Sequence, residues 1–426
     1  MRKNTLLVII LVIGLAGYFF IFFKRDKPFQ NSNGENTLHI SDPTINFLDK
    51  TPLQLVANKV SLKNGTSFTL QVARDFTVTP AYEGLKRVRF MAISPDGRLF
   101  VTDMYDLSDN KKGKVYILDG FNPETKKFTK VTTYLENLRN PNNVAFYTDR
   151  DKKTWIYLSL TDNLIRYPYN TGDTTPIGPP ENLATFPDYG LSYKYGGWHL
   201  TRTVNFHDKK LYVSVGSSCD LCEEKLSEPV RASILEMNPD GTDSKIYASG
   251  LRNAVGIEWV DNKFFATVMG SDQLGNDAPQ DTLAEIEEGQ NYGWPYCYEQ
   301  DNKIFENNSN SWQRKSVDCA VVPLSYKELG AHSAPLGFDY FSKSPNKALS
   351  NYFLIALHGS GNRSIGRGYQ IVRTGRNTTP EPFITGFLQG DTIFGRPADV
   401  LAYEGNSFFF SDDYGGVIYY VSKRDE

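Results

Sequence analysis

The sequence predicts an all-β chain folded as a six-bladed β-propeller. Three observations carry this. A strand–turn–strand unit recurs six times, shorter strand-like runs fill the gaps between copies, and amphipathic helical periodicity is scarce. The clearest copy is Phe90–Asp103, FMAISPDGRLFVTD: an apolar run, a Pro-Asp-Gly turn, then alternating apolar and polar residues. Copies begin at residues 90, 142, 201, 253, 334 and 398, giving steps of 52, 59, 52, 81 and 64. An antiparallel repeat of roughly 40–50 residues is a propeller signature, with longer steps carrying extra loop on one face.

In chain order, the N-terminus differs in kind from the rest of the chain. Leu6–Phe23 is apolar and uncharged, with Arg2 and Lys3 before it and Lys24, Arg25 and Lys27 after. Eighteen residues at a rise of about 1.5 Å sit at the short end of what crosses a bilayer. No A-x-A cleavage site comes after it, so residues 1–27 are expected to be a transmembrane anchor, with a signal segment as the alternative. Residues 28–66 are polar and read as a tether. The propeller is expected over 67–426, as one domain without a Gly/Ser/Pro-rich linker.

The strand Ser67–Phe76 (SFTLQVARDF) lacks a turn partner and is expected to pair with the C-terminal VIYYVS, closing the ring and removing two sheet edges. Third strands are expected at Lys114 (KVYILDG), Asn163 (NLIRYPY), Ser233 (SILEMNPDG), Thr282 (TLAEIEEG), Gly368 (GYQIVRTG) and Gly416 (GVIYYVS). Each alternates over four to six residues between Gly, Asn or Asp. The 25 tyrosines and 27 phenylalanines suit aromatic packing between sheets.

A net charge of −3 offers no footprint for nucleic acid. Of four cysteines, Cys297 and Cys319 bracket a polar insertion that a disulfide would staple. Cys219 and Cys222 form a Cys-x-x-Cys, compatible with a disulfide, a redox pair or half a zinc site. Finger-like spacing is lacking in the second pair, so two structural disulfides are the favoured reading. With the apolar N-terminus, the domain is expected outside the cytoplasm, periplasmic or at the cell surface.

Nicotinamide, P-loop, nucleophile-elbow and HExxH motifs are absent. Of five histidines, His199 (KYGGWHLTRTVNF) stands where a loop hands over to a strand, a place suited to a general base. A hydrogen-bonded structural histidine is the alternative. His207, at a hairpin turn, is expected to be solvated, and His39 lies in the tether. GLRNAVGI (Gly250–Ile257) sets Arg252 and Asn253 between glycines, as an anion clamp would. Arg363 and Arg396 also stand in Gly-containing loops at blade boundaries. Three arginines converging on the axis would suit a ligand with several carboxylates.

Together, GGWHLTR, GLRNAVG, EIEEGQNYGWPYC, SAPLGFDYF, FLIALHGSGNRS and GRPADV resemble the pyrroloquinoline quinone-dependent aldose sugar dehydrogenases, the glucose/sorbosone dehydrogenase family, over roughly Arg87 to Ser422. The resemblance implies a tricarboxylate ortho-quinone on the axis and a sugar stacked above it. A base takes the anomeric proton while hydride leaves C1 for the quinone, giving a lactone. It further implies that His199 is the base and that Arg252 and Asn253 contact the quinone. Arg396 would bind a cofactor carboxylate, and His358 would fall at a cationic quinone contact with Arg363 nearby. It also implies Ca2+, for which the loop Gly270–Asp281 offers Asp272 and Gly275. Gly289–Cys297 reads as a structural corner in which Trp294 packs.

The competing reading is a scaffold that binds a glycan or protein without turnover. A metal-dependent lactonase is less favoured, since Asp272, Asp277 and Asp281 lie in one loop whereas such sites draw acids from several blades. Expected partners are a small-molecule sugar, met by loops such as Thr171–Tyr195, an external electron acceptor, since no C-x-x-C-H is present, and the membrane.

Overall fold

In the computed structural model the described residues are 51–188, 199–309, 312–314, 317–342, 344–361 and 365–424. The apolar segment Leu6–Phe23 falls outside them, as does Arg363. Among the described residues no helix is long and apolar enough to cross a membrane.

Six antiparallel sheets form the ring. All six expected hairpins are the inner two strands of a blade: Val88–Ile93 with Leu99–Asp103, Asn143–Thr148 with Thr154–Ser159, Arg202–His207 with Lys210–Val215, Ala254–Val260 with Lys263–Val268, Pro335–Tyr340 with Phe353–Leu357, and Pro397–Tyr403 with Ser407–Asp412. We number blades 1 to 6 in that order. The third strands also fall where alternation placed them, as in Asn163–Tyr169 and Gln370–Thr374.

Closure differs in detail from the expectation. The chain turns at Arg74–Asp75, so SFTLQVARDF is split between two strands. Phe76–Glu83 is the strand that pairs with Val417–Lys423 and completes blade 6. Pro80 obscured it in the sequence. As an outermost strand it tolerates a residue that cannot donate to the ladder. Ser67–Ala73 instead hairpins with Leu55–Ser61 and adds to blade 5 beside Glu381–Thr385, making that sheet six-stranded. The tether expected to reach residue 66 therefore gives way to folded chain by Leu55. Its polar Asn58 is a core residue, trading two hydrogen bonds with the backbone of Val78.

Between neighbouring blades lie apolar clusters. Blades 1 and 2 share Phe100, Ile117, Val144 and Leu158, while blades 6 and 1 share Phe409, Ile418, Met91 and Val101. At roughly 1.5–3 kcal/mol per buried large apolar side chain, these seams hold the ring together. A further small cluster, Phe90, Val255, Leu336 and Ala398, comes from the inner strands of blades 1, 4, 5 and 6 and forms an apolar plug on the axis.

Candidate active site

Loops that precede the inner strands and loops that join second to third strands gather at one end of the ring, around a cavity of about 510 Å³. His199 and Arg252 both line it, with Asp272, Gly275, Asp281, His332 and Ser360. The two residues on which the sequence reading rested thus come together, although 53 positions separate them.

His199 Nδ1 lies 2.8 Å from the Ser217 carbonyl and 3.1 Å from its hydroxyl, which itself donates to the Cys219 carbonyl. A carbonyl only accepts, so Nδ1 carries the hydrogen and Nε2 is the acceptor of the ring. Burial pushes the imidazole pKa well below its ordinary value, and the Arg252 charge adds to this. The ring is neutral and able to take a proton. Behind it, a Cβ on Gly216 would stand 2.7 Å from His199 Cβ and 2.5 Å from Asn253 Oδ1. Glycine there is what lets His199 and Asn253 approach from either side. Asn253 Oδ1 is buried without a hydrogen-bond partner among the described residues.

Arg252 is not an open clamp. Its Nη2 donates to Asp220 Oδ1 at 2.6 Å and its Nε to the Asp220 carbonyl at 3.0 Å, while Nη1 makes no hydrogen bond to the described residues. Asp220 sits inside the Cys219–Cys222 disulfide. The same carbonyl accepts from the Trp294 indole at 3.2 Å, so the expected structural corner carries the partner of Arg252. The other disulfide, Cys297–Cys319, closes the polar insertion as the spacing proposed.

His358 and Arg396 form a separate group, not among the side chains lining the cavity. His358 Nε2 donates to Asp413 at 2.8 Å, and its Nδ1 faces Arg396 Nη1 at 3.3 Å. Burial lowers the His358 pKa, opposed by Asp413. Arg396 lies 4.7 Å over the Tyr369 ring and spends its donors on the Gly359 and Ser360 carbonyls and the Tyr369 hydroxyl. Of the three arginines expected to converge, two can be placed. Arg252 faces the cavity and Arg396 braces the loop at Ser360 that lines it. Arg363, the third, lies outside the described residues.

Asp272 and Gly275 do face the cavity together. His332 bridges them, with Nε2 2.7 Å from the Gly275 carbonyl and Nδ1 3.3 Å from Asp272. Asp281, which also lines the cavity, fastens that loop, accepting from Gly270 N at 2.7 Å and Ala334 N at 2.8 Å. Burial pushes its carboxyl up to about 6. His207, expected to be solvated, stacks flat on Trp259 at 4.0 Å.

Sequence reasoning missed Ser217, Asp220, His332 and Asp413. One signal was present: SDD follows FFF at the end of the last hairpin, two acids where an apolar strand ends, and a buried carboxylate requires partners. Asp413 is fully buried and meets Arg89, Arg87 and His358.

Comparison with known proteins bears on the family and the fold. A curated protein from Borreliella burgdorferi, with no assigned function, is 34% identical over 232 residues, 51% of this chain. The chain matches 58% of that protein's length. Among solved structures, the holo PQQ domain of pyranose dehydrogenase from Coprinopsis cinerea superposes with a TM-score of 0.66 at 19% identity, covering 84% of this chain and 97% of that one. The calcium structure of the Trichoderma reesei family AA12 enzyme gives 0.64 at 20%, covering 88% and 99%. PQQ-bound aldose sugar dehydrogenase from Streptomyces coelicolor gives 0.56 at 19%, covering 83% and 98%. At these identities the structures speak to fold. The TrAA12-like family profile matches residues 70–385, most of the propeller, and the chain belongs to the TrAA12-like family.

Proposed function

We propose that this chain is a quinoprotein sugar dehydrogenase that oxidises an aldose-type sugar at C1 to its lactone. The observation that carries the reading is a neutral, Nδ1-protonated His199 sharing one cavity with Arg252. Family membership and a fold like that of PQQ-bound sugar dehydrogenases support it. The residues present fit the cofactor. The cavity falls within the usual ligand range of about 300–1,000 Å³. Arg252 Nη1 is uncommitted among the described residues, and the orphaned Asn253 Oδ1 adjoins His199.

When bound, pyrroloquinoline quinone supplies a two-electron acceptor for hydride. His199 Nε2 takes the proton of the anomeric hydroxyl as C1 loses its hydride, and the Ser217 carbonyl holds the ring tautomer throughout. Arg252, held by Asp220, sets fixed positive charge beside the negative charge that develops, without reorganisation. Asp272 and the Gly275 carbonyl offer the hard oxygen ligands that Ca2+ requires, once His332 releases them. An external acceptor would take the electrons onward. An extracytoplasmic location, with Leu6–Phe23 as the tether, is part of the proposal and is supported by two disulfides.

The test is reconstitution of the purified chain with the quinone and calcium, followed by dye reduction across an aldose panel. Sugar-dependent reduction is expected, and His199→Gln should cut turnover by about 10²–10⁴ while retaining the cofactor. Silence across the panel with quinone bound would favour a binding scaffold, and wild-type turnover in His199→Gln would place the base elsewhere.

A further inference from the structure

One six-residue stretch, Ser217–Cys222, supports both His199 and Arg252. The Ser217 carbonyl holds the His199 ring, while the Ser217 hydroxyl donates to the Cys219 carbonyl at 2.6 Å. Asp220 holds Arg252 through its carboxylate and its carbonyl, and its carboxylate also accepts the Asp272 N–H at 2.8 Å. The backbone N–H of Ser217 in turn donates to the Arg252 carbonyl at 2.8 Å. In the middle of these contacts, the Cys219–Cys222 bond closes a tight loop with Asp220 inside it.

That bond differs from the other disulfide in two respects. Cys219 and Cys222 are half-buried, whereas Cys297 and Cys319 are buried at 4% and 8% exposure. A thiolate must reach a sulfur to exchange with it, so the first pair is open to attack and the second is shielded. The two loops also differ in length, with a sequence separation of 3 against 22. A shorter loop constrains the unfolded chain less, so opening the first costs the fold little. A proton source is in place as well. Glu224 sets a carboxylate oxygen within 4.8 Å of both sulfurs, and accepts from the Ser218 N–H at 2.7 Å and the Ser218 hydroxyl at 2.6 Å. Burial raises its pKa, so it keeps a proton more readily than an exposed glutamate does. Neither Ser218–Glu224 bond involves a sulfur, so both remain to hold the loop back when the disulfide opens.

We propose that Cys219–Cys222 is a redox-labile clasp on the active site, closed as a disulfide and opened by a dithiol that reaches its sulfurs. A thiolate of the dithiol bonds to one sulfur as the Cys219–Cys222 bond breaks, releasing the other as a thiolate. The second thiolate of the dithiol resolves this mixed disulfide, and the reductant leaves as its own disulfide. Two electrons pass to the pair, and the two protons given up by the dithiol are made good on the new thiols, the first through Glu224. The freed sulfurs separate to non-bonded contact. Asp220 then shifts, and the hold on Arg252 and on the His199 ring loosens. A displacement of about 1 Å can cost on the order of 10²-fold in rate. The effect on turnover rests on the quinoprotein reading, whereas the effect on the loop does not.

The test begins with the quinone-free full chain under native conditions, with dithiothreitol as the probe. Alkylation read by mass spectrometry should label Cys219 and Cys222 and leave Cys297 and Cys319 protected. Hydrogen exchange at the Ser217 and Asp272 amides should quicken by about tenfold or more on reduction, and slow again on reoxidation. Because quinones oxidise thiols, turnover is compared instead between wild type and Cys219→Ser/Cys222→Ser after reconstitution. The variant should lose about tenfold or more in kcat with KM changed less than about threefold, and its urea midpoint should stay near that of wild type. A Cys219–Cys222 pair that resists dithiothreitol in the folded chain would overturn the proposal. So would labelled cysteines with unchanged exchange at both amides, or a variant with wild-type kcat. If neither protein turns over sugar, the quinoprotein reading fails, and exchange in the wild-type chain still decides for or against the clasp.

Discussion

Removing the Asp220 carboxylate tests the idea that Arg252 is held in place rather than merely present. In Asp220→Ala, Arg252 keeps its bond from Nε to the backbone carbonyl but loses the 2.6 Å contact from Nη2. Both partners are more than nine-tenths buried, at 5% and 7% exposure. A charge-assisted hydrogen bond contributes about 1.5–3 kcal/mol, and the orphaned Asp272 N–H, now 2.8 Å from the same oxygen, adds about 0.5–1.5 kcal/mol. Part of this is returned, because Arg252 lines the cavity and its freed nitrogen can meet water. The expected loss is therefore about 2–4 kcal/mol, read as a lower urea midpoint at unchanged m. Asp220→Asn keeps an oxygen acceptor and should cost about half as much. In an Arg252→Met background the Asp220→Ala cost should largely vanish, which is the signature of coupling between the two side chains. In the reconstituted enzyme, Asp220→Ala should lower kcat more than it raises KM, since an arginine with unfixed direction stabilises developing charge poorly. A stability loss below about 1 kcal/mol, or full additivity with Arg252→Met, would refute the reasoning.

Gly216→Ala places a methyl 2.5–2.7 Å from Asn253 and His199, so it should lower turnover at least tenfold while costing about 1–3 kcal/mol of stability, measured by steady-state kinetics and denaturation together. The acid limb of kcat/KM should fall below about 6.5, because burial and Arg252 lower the pKa of His199; a limb at or above that value would exclude His199 as the titrating base. Burial alone would raise the Asp413 carboxyl, but His358, Arg89 and Arg87 hold it well below the usual range. Its stabilisation is thus complete above about pH 4 and lost as pH falls through the folded-state value. Asp413→Ala should cost about 3–5 kcal/mol at neutral pH, and the gap from wild type should close in acid when urea midpoints are compared.

The repeat was legible because strand alternation and turn chemistry are local. FMAISPDGRLFVTD announces a hairpin from its own residues, and six such units leave few architectures other than a ring. His199, Arg252 and Asn253 could be singled out for a related reason, being chemically distinctive residues at loop-to-strand junctions. The sequence also held the two disulfide pairings within short reach. Three-dimensional packing decided everything that depends on register between blades. Which strand closes the ring depended on where the chain turned at Arg74–Asp75, and a proline on an outer edge hid the answer. That Arg252 faces the cavity while Arg396 braces Ser360 follows from the carboxylate and carbonyls that happen to lie opposite, residues 27 to 37 positions away. Glu258, Asp339 and Asp399 look like ordinary strand acids until three sheets align them around one cavity. Local chemistry writes hairpins into a sequence, but the partner of a buried charge is set by long-range pairing, which only the closed ring fixes.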